Sequence, residues 1–333
     1  MRPLAVITGA SGLLGGNLAA LLLERGLRVR ATKRPSTKVA HLAPYDIEWV
    51  PGELDDERAL AEAFAGADVV FHCAALVSIL KTATPEIVAA NVQGTRNVVA
   101  AVRAAKCGRL VHVSTTAAVG VSRDGRPSTE DATWNFDEFG LADGYSITKR
   151  DAERVVKAAA DEGLDAVIVN PGYMFGPLDE KPSSGSLIVD LVKGKVPGLV
   201  PGKNSFCDAR DVAAGMIAAF EKGARGERYI LAGENLRYDD LMGRVARIAG
   251  VPAPRRRIPF FAAMGLGLVG DLRAALGSMP VVTSTTVRYG FSDRFVFSSE
   301  RARRELGYEN RPVDDSIRDA IAWFRETGKL PRA

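Results

Sequence analysis

One stretch near the N-terminus limits the folds open to this chain more than any other: Leu4-Ala-Val-Ile-Thr8-Gly9-Ala10-Ser11-Gly12-Leu13-Leu14-Gly15-Gly16-Asn17-Leu18. Leu4 to Ile7 is an apolar run of strand length, too short for a helix. Glycines 9, 12 and 15 follow, and then Leu18, Ala19, Leu21, Leu22 and Leu23 supply an apolar helical face. A buried strand, a tight glycine turn and a helix N-terminus make a seat for a pyrophosphate. Unpaired amides and the positive end of the helix dipole point at the anion, and missing side chains let it approach. Glycine clusters by themselves are usually only turns. Here the strand and the helix stand on either side, which favours dinucleotide binding.

Downstream, strands and helices alternate. Arg28–Arg34, Ile47–Val50, Asp68–His72, Arg109–Val113 and Ala166–Asn170 read as further strands, with helices at Asp56–Phe64, Glu86–Ala105 and Ile147–Glu162. This alternation implies an α/β fold with a doubly wound parallel sheet. Past Gly176-Pro177 the pattern loosens and then returns as the helix Asp211–Glu221 and the strand Arg228–Leu231. We expect a dinucleotide-binding domain over residues 1–172, with sheet elements returning at about 206–232. Residues 173–205 and 233–333 then form a small, mostly helical substrate-binding region.

The second strand meets the adenosine ribose in such folds. An acid there bonds a free 2′-hydroxyl, whereas an arginine accommodates a 2′-phosphate. Positions 28–39 hold no Asp or Glu but do hold Lys33, Arg34 and Lys38, so NADP is preferred over NAD. Tyr145-Ser-Ile-Thr-Lys149 sets a phenol and an ammonium on one face of a helix start. A phenol of pKa ~10 is a poor acid or base at neutral pH. A lysine cation beside it favours the phenolate and brings it toward the working range.

Composition narrows the partners. The formal charge of +4 is spread without a long basic run bearing aromatics, so nucleic acid is not expected. Cys73, Cys107 and Cys207 are odd in number and far apart, which fits a reducing cytoplasm. Three histidines without ligand-like spacing argue against a metal site. No stretch approaches the ~20 apolar residues that span a bilayer, and the glycine-broken N-terminus lacks a signal-peptide pattern. The apolar run Phe260–Val269 after Arg255-Arg256-Arg257 reads as a core helix of the small region. It could also be a greasy wall for an apolar substrate, or a membrane-surface contact. Trp134, Phe136, Phe139, Tyr173 and Phe175 add aromatics to an apolar pocket.

Taken together, Thr8-Gly9-x-x-Gly12-x-x-Gly15, Ser114-Thr115-Thr116 and Tyr145-x-x-x-Lys149 resemble the extended, epimerase/dehydratase-like branch of the short-chain dehydrogenase/reductases. Gly52-Glu53-Leu54, His72-Cys-Ala-Ala75, Asn91-Val-Gln-Gly94, Asn170-Pro171-Gly172-Tyr173 and Asp208-Ala-Arg-Asp211 extend the likeness over nearly the whole chain. It falls near the dihydroflavonol reductases, 3β-hydroxysteroid dehydrogenases and hopanoid-associated sugar epimerases. The resemblance implies that Tyr145 is the general acid/base and that Lys149 binds the nicotinamide ribose. Thr116 is the hydroxyl on the substrate oxygen, with Ser114 its rival, and Asn91 supports the hydrogen-bond network. It also implies cofactor contacts at Thr8, Gly9, Ser11, Gly12, Leu13, Leu14, Gly15, Lys33, Arg34, Glu53, Leu54, Cys73, Ala74, Ala75, Val113, Ser114, Tyr145, Lys149, Pro171, Gly172 and Tyr173. Arg34 grips the 2′-phosphate, and Pro171 and Tyr173 flank the nicotinamide.

Departures matter as well. The stretch before Asp208 offers only Lys203 where sugar-nucleotide members usually place an arginine, and Asn170 stands where an arginine is common. The expected function is therefore NADP(H)-dependent reduction of a ketone or aldehyde. A sugar epimerase or dehydratase, and a non-catalytic cofactor-binding regulator, are the alternatives. The helices over 86–105 and 147–162 are expected to pair into a homodimer.

Overall fold

The computed structural model describes residues 2–331. Its strands are β1 (Leu4–Thr8), β2 (Arg28–Lys33), β3 (Ile47–Pro51), β4 (Val69–His72), β5 (Arg109–Val113), β6 (Ala166–Pro171), β7 (Tyr173–Phe175), β8 (Lys203–Asp208), β9 (Arg228–Leu231) and β10 (Glu234–Arg237). The helices are α1 (Leu13–Glu24), α2 (Glu57–Phe64), α3 (Pro85–Val88), α4 (Gly94–Ala104), α5 (Gly144–Asp161), α6 (Ser186–Val192), α7 (Ala209–Lys222), α8 (Tyr238–Ala249), α9 (Phe260–Ala275), α10 (Ser284–Phe291), α11 (Glu300–Leu306) and α12 (Val313–Glu326).

Seven strands pair in parallel in the order β3-β2-β1-β4-β5-β6-β9. The order reverses between β1 and β4, and the crevice beyond the carboxyl ends of those strands is where such sheets bind ligands. Alternate residues of one strand serve opposite faces. Ala5, Ile7, Val69, Phe71, Val111, Val167 and Val169 pack with α1 and α7 in one buried layer. Leu4, Val6, Val70, Leu110 and Ile168 pack with α2, α4 and α5 in the other. Both faces are covered, which is why these strands read as unbroken apolar runs.

Two helices differ from the sequence reading in ways that shape the site. The helix expected from Ile147 begins at Gly144, because Asp143 and Ser146 form a reciprocal capping box. Tyr145 therefore lies in its first turn. The helix expected over Glu86–Ala105 is broken by a π-turn at Ala89–Gln93 that joins α3 to α4, with Asn91 at its centre. Single π-turns inside helices often mark functional sites.

The small region carries a second sheet, in which β8 pairs parallel to β7 and antiparallel to β10. Phe175, Phe206, Leu241, Val245, Ile317 and Phe324 fill the core between this sheet and α6, α8 and α12. The reading of Phe260–Val269 as a core helix is overturned. Only Ala263, Gly267 and Gly270 of α9 are buried, and its large apolar side chains face outward.

Candidate active site

At the end of β1 the backbone turns through Gly9 at φ +79°, a left-handed conformation that favours glycine. A Cβ there would also lie 2.6 Å from the Ala74 amide nitrogen. At Gly15 a Cβ would meet the Gly9 carbonyl oxygen at 2.4 Å. These two glycines let the loop after β1, the start of α1 and the loop after β4 converge. Gly12 differs. It is exposed, and among the described residues a Cβ would meet nothing closer than 3.5 Å. No side chain caps α1 there, and no acid occupies its first turn. Bare amides and an open approach fit a dinucleotide pyrophosphate, with Ser11, Leu13 and Leu14 lining the same turn.

The other residues expected to meet the cofactor lie as follows. Lys33 ends β2 with its ammonium 5.9 Å from the Trp49 ring centroid, and Arg34 beyond it is exposed with no ion pair among the described residues. The loop carrying Glu53 and Leu54 is pinned to α4 by Asn97 Nδ2, which donates to the Leu54 carbonyl at 2.7 Å. Glu53 is exposed, and Leu54 fills the space over Gly94, where a Cβ would come within 3.0 Å of it. Small side chains at Cys73, Ala74 and Ala75 form the wall opposite the glycine turn. The Cys73 and Ala74 amides donate to the carbonyl and hydroxyl oxygens of Thr8.

Lys149, only 3% exposed, donates from Nζ to the Val113 carbonyl at 2.7 Å, its one hydrogen bond among the described residues. The ammonium thus keeps two N–H groups for a ribose. Burial lowers its pKa to about 8, against the opposing pull of the Glu153 carboxylate. The nearby Cys73 thiol is pushed up to about 12 by burial and stays neutral.

Tyr145 is partly exposed. Burial of its phenol raises the pKa to about 12, opposed by a hydrogen bond with the Thr115 side chain, while Asp143 adds to the rise. Burial outweighs any lowering of this phenol, and the Lys149 ammonium bonds the Val113 carbonyl.

The hydroxyl cluster after β5 is divided. Ser114 Oγ donates to Glu153 Oε2 at 2.6 Å, so its proton is committed away from the tyrosine. Thr116 is buried at the start of a 3₁₀ turn, Thr116–Ala118, that the Thr115 side chain caps. Thr115, which the sequence reading did not single out, is a second hydroxyl that acts on the Tyr145 phenol. Glu153 was passed over too. It lies one helical turn beyond Lys149 and gathers Ser114, Asn170 Nδ2 at 2.8 Å and Arg228 Nη1 at 3.1 Å. Arg228 comes from β9, one strand over, and supplies a guanidinium near the strand end where Asn170 stands. The spacing Lys149-x-x-x-Glu153 was the available signal.

Asn91 is 2% exposed and every polar group of its side chain is used. Oδ1 accepts from the Leu76 amide at 2.8 Å, while Nδ2 donates to the Leu76 carbonyl at 2.9 Å and to Thr148 Oγ1 at 3.1 Å. It clamps the loop after β4 onto α5. Behind it a buried chain of bonds has only one consistent direction. Thr95 donates its single hydroxyl proton to the Asn91 carbonyl, so His72 Nε2 donates to Thr95 and His72 Nδ1 accepts from Thr8.

On the small-region side, Pro171 is buried, and Gly172 passes so close to β8 that a Cβ would lie 2.7 Å from the Ser205 carbonyl oxygen. Tyr173 sits in an aromatic cluster with Phe175 and Phe206, and its hydroxyl donates to the Ser184 carbonyl. Of the aromatics expected to line a pocket, Phe136 and Phe175 are completely buried core residues. Trp134 stacks on Phe136, with Arg150 over its ring, and Arg294 covers Phe139. The aromatic residues after β5 are thus spent on packing that loop.

A doubly wound parallel sheet, a glycine turn bare of caps and a Tyr/Lys helix at the sheet's carboxyl edge define an NAD(P)-dependent oxidoreductase of the extended short-chain dehydrogenase/reductase type. The chain belongs to the NAD dependent epimerase/dehydratase family, whose description it matches over residues 5–232. It is 36% identical over 329 residues to sterol demethylase protein B of Methylococcus capsulatus, covering 98% of this chain and 99% of that one. With a putative dihydroflavonol 4-reductase of Synechocystis it shares 33% over 328 residues, covering 97% and 94%. The solved structure of gox2253 superposes with a TM-score of 0.85 at 34% identity, covering 99% of this chain and all of that one.

Proposed function

We propose that the protein is an NADP(H)-dependent reductase of a ketone or aldehyde on an apolar molecule, acting in the cytoplasm. The observation that carries the reading is the Tyr145/Lys149 helix start set at the carboxyl edge of the sheet beside the uncapped glycine turn. Tyr145, protonated at neutral pH, serves as donor to the developing alkoxide. Thr115 or Thr116 provides the second hydroxyl to that oxygen, and Lys149 holds the ribose. When bound, the reduced nicotinamide supplies the hydride. Asn91 holds the loop after β4 against the helix that carries Tyr145, and Glu153 ties Ser114, Asn170 and Arg228 together. Residues 1–172 serve the cofactor, and residues 173–205 and 233–333 serve the substrate. Relatives named for a sterol and a dihydroflavonol support an apolar, ring-bearing substrate.

The three cysteines are free, which supports the cytoplasmic reading. Among the described residues no helix is long and apolar enough to cross a membrane. Pairing of α4 and α5 across a two-fold axis into a homodimer remains part of the proposal. Their large apolar residues already pack on the sheet, so the interface would use the outer faces.

The test is NADPH consumption against a panel of hydrophobic ketones and aldehydes, run beside NADH and repeated with Arg34→Ser. We expect turnover with NADPH, and a preference over NADH that Arg34→Ser cuts about tenfold or more through loss of the 2′-phosphate contact. Equal use of both cofactors by the two proteins overturns the NADP assignment. Tightly retained NAD with no net redox change, and conversion of nucleotide sugars, overturns the reductase in favour of an epimerase.

A further inference from the structure

The helix α9 is built inside out. Its buried face is Ala263, Gly267 and Gly270, and the glycines are required there. A Cβ at Gly270 would run into the Val282 carbonyl oxygen, and one at Gly267 would lie 2.9 Å from the Ser284 backbone. Small residues let α9 press against the start of α10, while Phe261 (79% exposed), Leu266, Leu268, Val269, Leu272 and Leu276 (75%) cover the outward arc. Most of the chain's exposed large apolar residues lie between Phe260 and Val281. A soluble surface helix shows the opposite pattern.

Charge follows the grease. Residues 251–292 contain five arginines and one acid, Asp271, a local net charge of +4. The Asp271 carboxylate is used by the Ser284 amide and hydroxyl. Arg255, Arg256 and Arg257 are exposed just before α9 and form no ion pair among the described residues. At 16 residues α9 is about 24 Å long, which suits lying in an interface and not crossing one.

The hairpin is tied to the catalytic helix. Thr283 Oγ1, at the cap of α10, donates to the Ile79 carbonyl, and the Gly144 amide at the start of α5 donates to the Leu80 carbonyl. The intervening loop carries exposed Leu76 and Val77 and begins at the cofactor wall of Cys73 to Ala75.

We propose that α9 and the arginines before it dock on the surface of an anionic lipid bilayer, so that the site draws its apolar carbonyl substrate from the membrane. Apolar side chains enter the acyl boundary, and the guanidinium groups meet phosphate headgroups. The substrate half of this inference rests on the reductase reading, whereas docking itself does not.

Flotation of the full chain with vesicles of phosphatidylcholine containing about 30% phosphatidylglycerol tests it. Pure phosphatidylcholine vesicles serve as the comparison. The wild type is expected to float with the anionic vesicles, and less so as salt rises. Arg255→Gln, Arg256→Gln and Arg257→Gln together should weaken partition on the order of a hundredfold. Phe261→Ser, Leu268→Ser and Leu272→Ser together should abolish it. Both variants should keep the wild-type melting temperature and turnover of a small water-soluble carbonyl, since no substituted residue touches the site. Failure of the wild type to float, or equal flotation of the variants, overturns the docking. So does a wild-type dimer by light scattering that the serine variant converts to monomer, because the face is then covered by a second copy. Flotation without any carbonyl reduction leaves docking standing and removes the reductase reading.

Discussion

Tyr145→Phe is expected to lower kcat for carbonyl reduction by about 10²–10⁴-fold, the usual worth of a positioned general acid, with KM little changed. The ring sits in the first turn of α5, where the Asp143–Ser146 capping box fixes the helix start, so phenylalanine keeps the packing and removes only the proton donor. Thermal stability and NADPH affinity should stay near wild type. Equal rates in the two proteins would falsify the catalytic assignment. The pH profile separates the partners. Lys149, lowered to about 8, is charged below that value and loses its charge as pH rises through it, so kcat/KM should fall above about pH 8. Tyr145 at about 12 adds no break in the range where the protein is folded and assayed. The same fall should persist in whatever activity Tyr145→Phe retains.

Acid should unfold the protein earlier than its carboxylates alone would dictate. Burial drives the His72 pKa down to about 3, and His112 lies well below its ordinary value, with Lys149 adding to both. In the unfolded chain both titrate near 6.5. A histidine whose folded pKa is depressed gives stability that is complete above about pH 6.5 and is lost as pH falls, because only the unfolded state takes up the proton. Two such groups give a slope of about 3 kcal/mol per pH unit, or about 4 kcal/mol between pH 6 and 4.5. Urea midpoints measured across that range read it directly.

The two histidines are expected to part company on substitution. Among the described residues His112 has no partner for either ring nitrogen, so His112→Leu should roughly halve the slope and leave neutral-pH stability unchanged or raised. His72 bridges Thr8 and Thr95, and His72→Leu leaves the buried Thr8 hydroxyl proton without its acceptor and takes the donor from Thr95, costing about 1–3 kcal/mol at neutral pH. It should also loosen the path from the glycine turn to Asn91. A His112→Leu protein with the full wild-type slope would sink the account.

Patterns that neighbours within a few residues encode were legible along the chain. The apolar run Leu4–Ile7, the glycines at 9, 12 and 15 and the alternation of strands with helices are local patterns, and they lead to the parallel sheet with its bare helix N-terminus. The empty acid position after β2 and the Tyr145/Lys149 spacing are local too.

The remaining features come from contacts between residues far apart in the chain. That Ser114 is withdrawn from the hydroxyl cluster depends on Glu153, 39 residues away, which claims its proton. The guanidinium beneath the strand ends comes from Arg228, 75 residues from Glu153. Asn91 turned out to clamp Leu76 and Thr148, because a π-turn swings it inward. The aromatics expected in a pocket went to the cores, and the apolar helix expected in a core went to the surface, because hydrophobicity along a chain does not say which face another element will cover. Only the packing of Gly267 and Gly270 against α10 fixes which way the large side chains of α9 point.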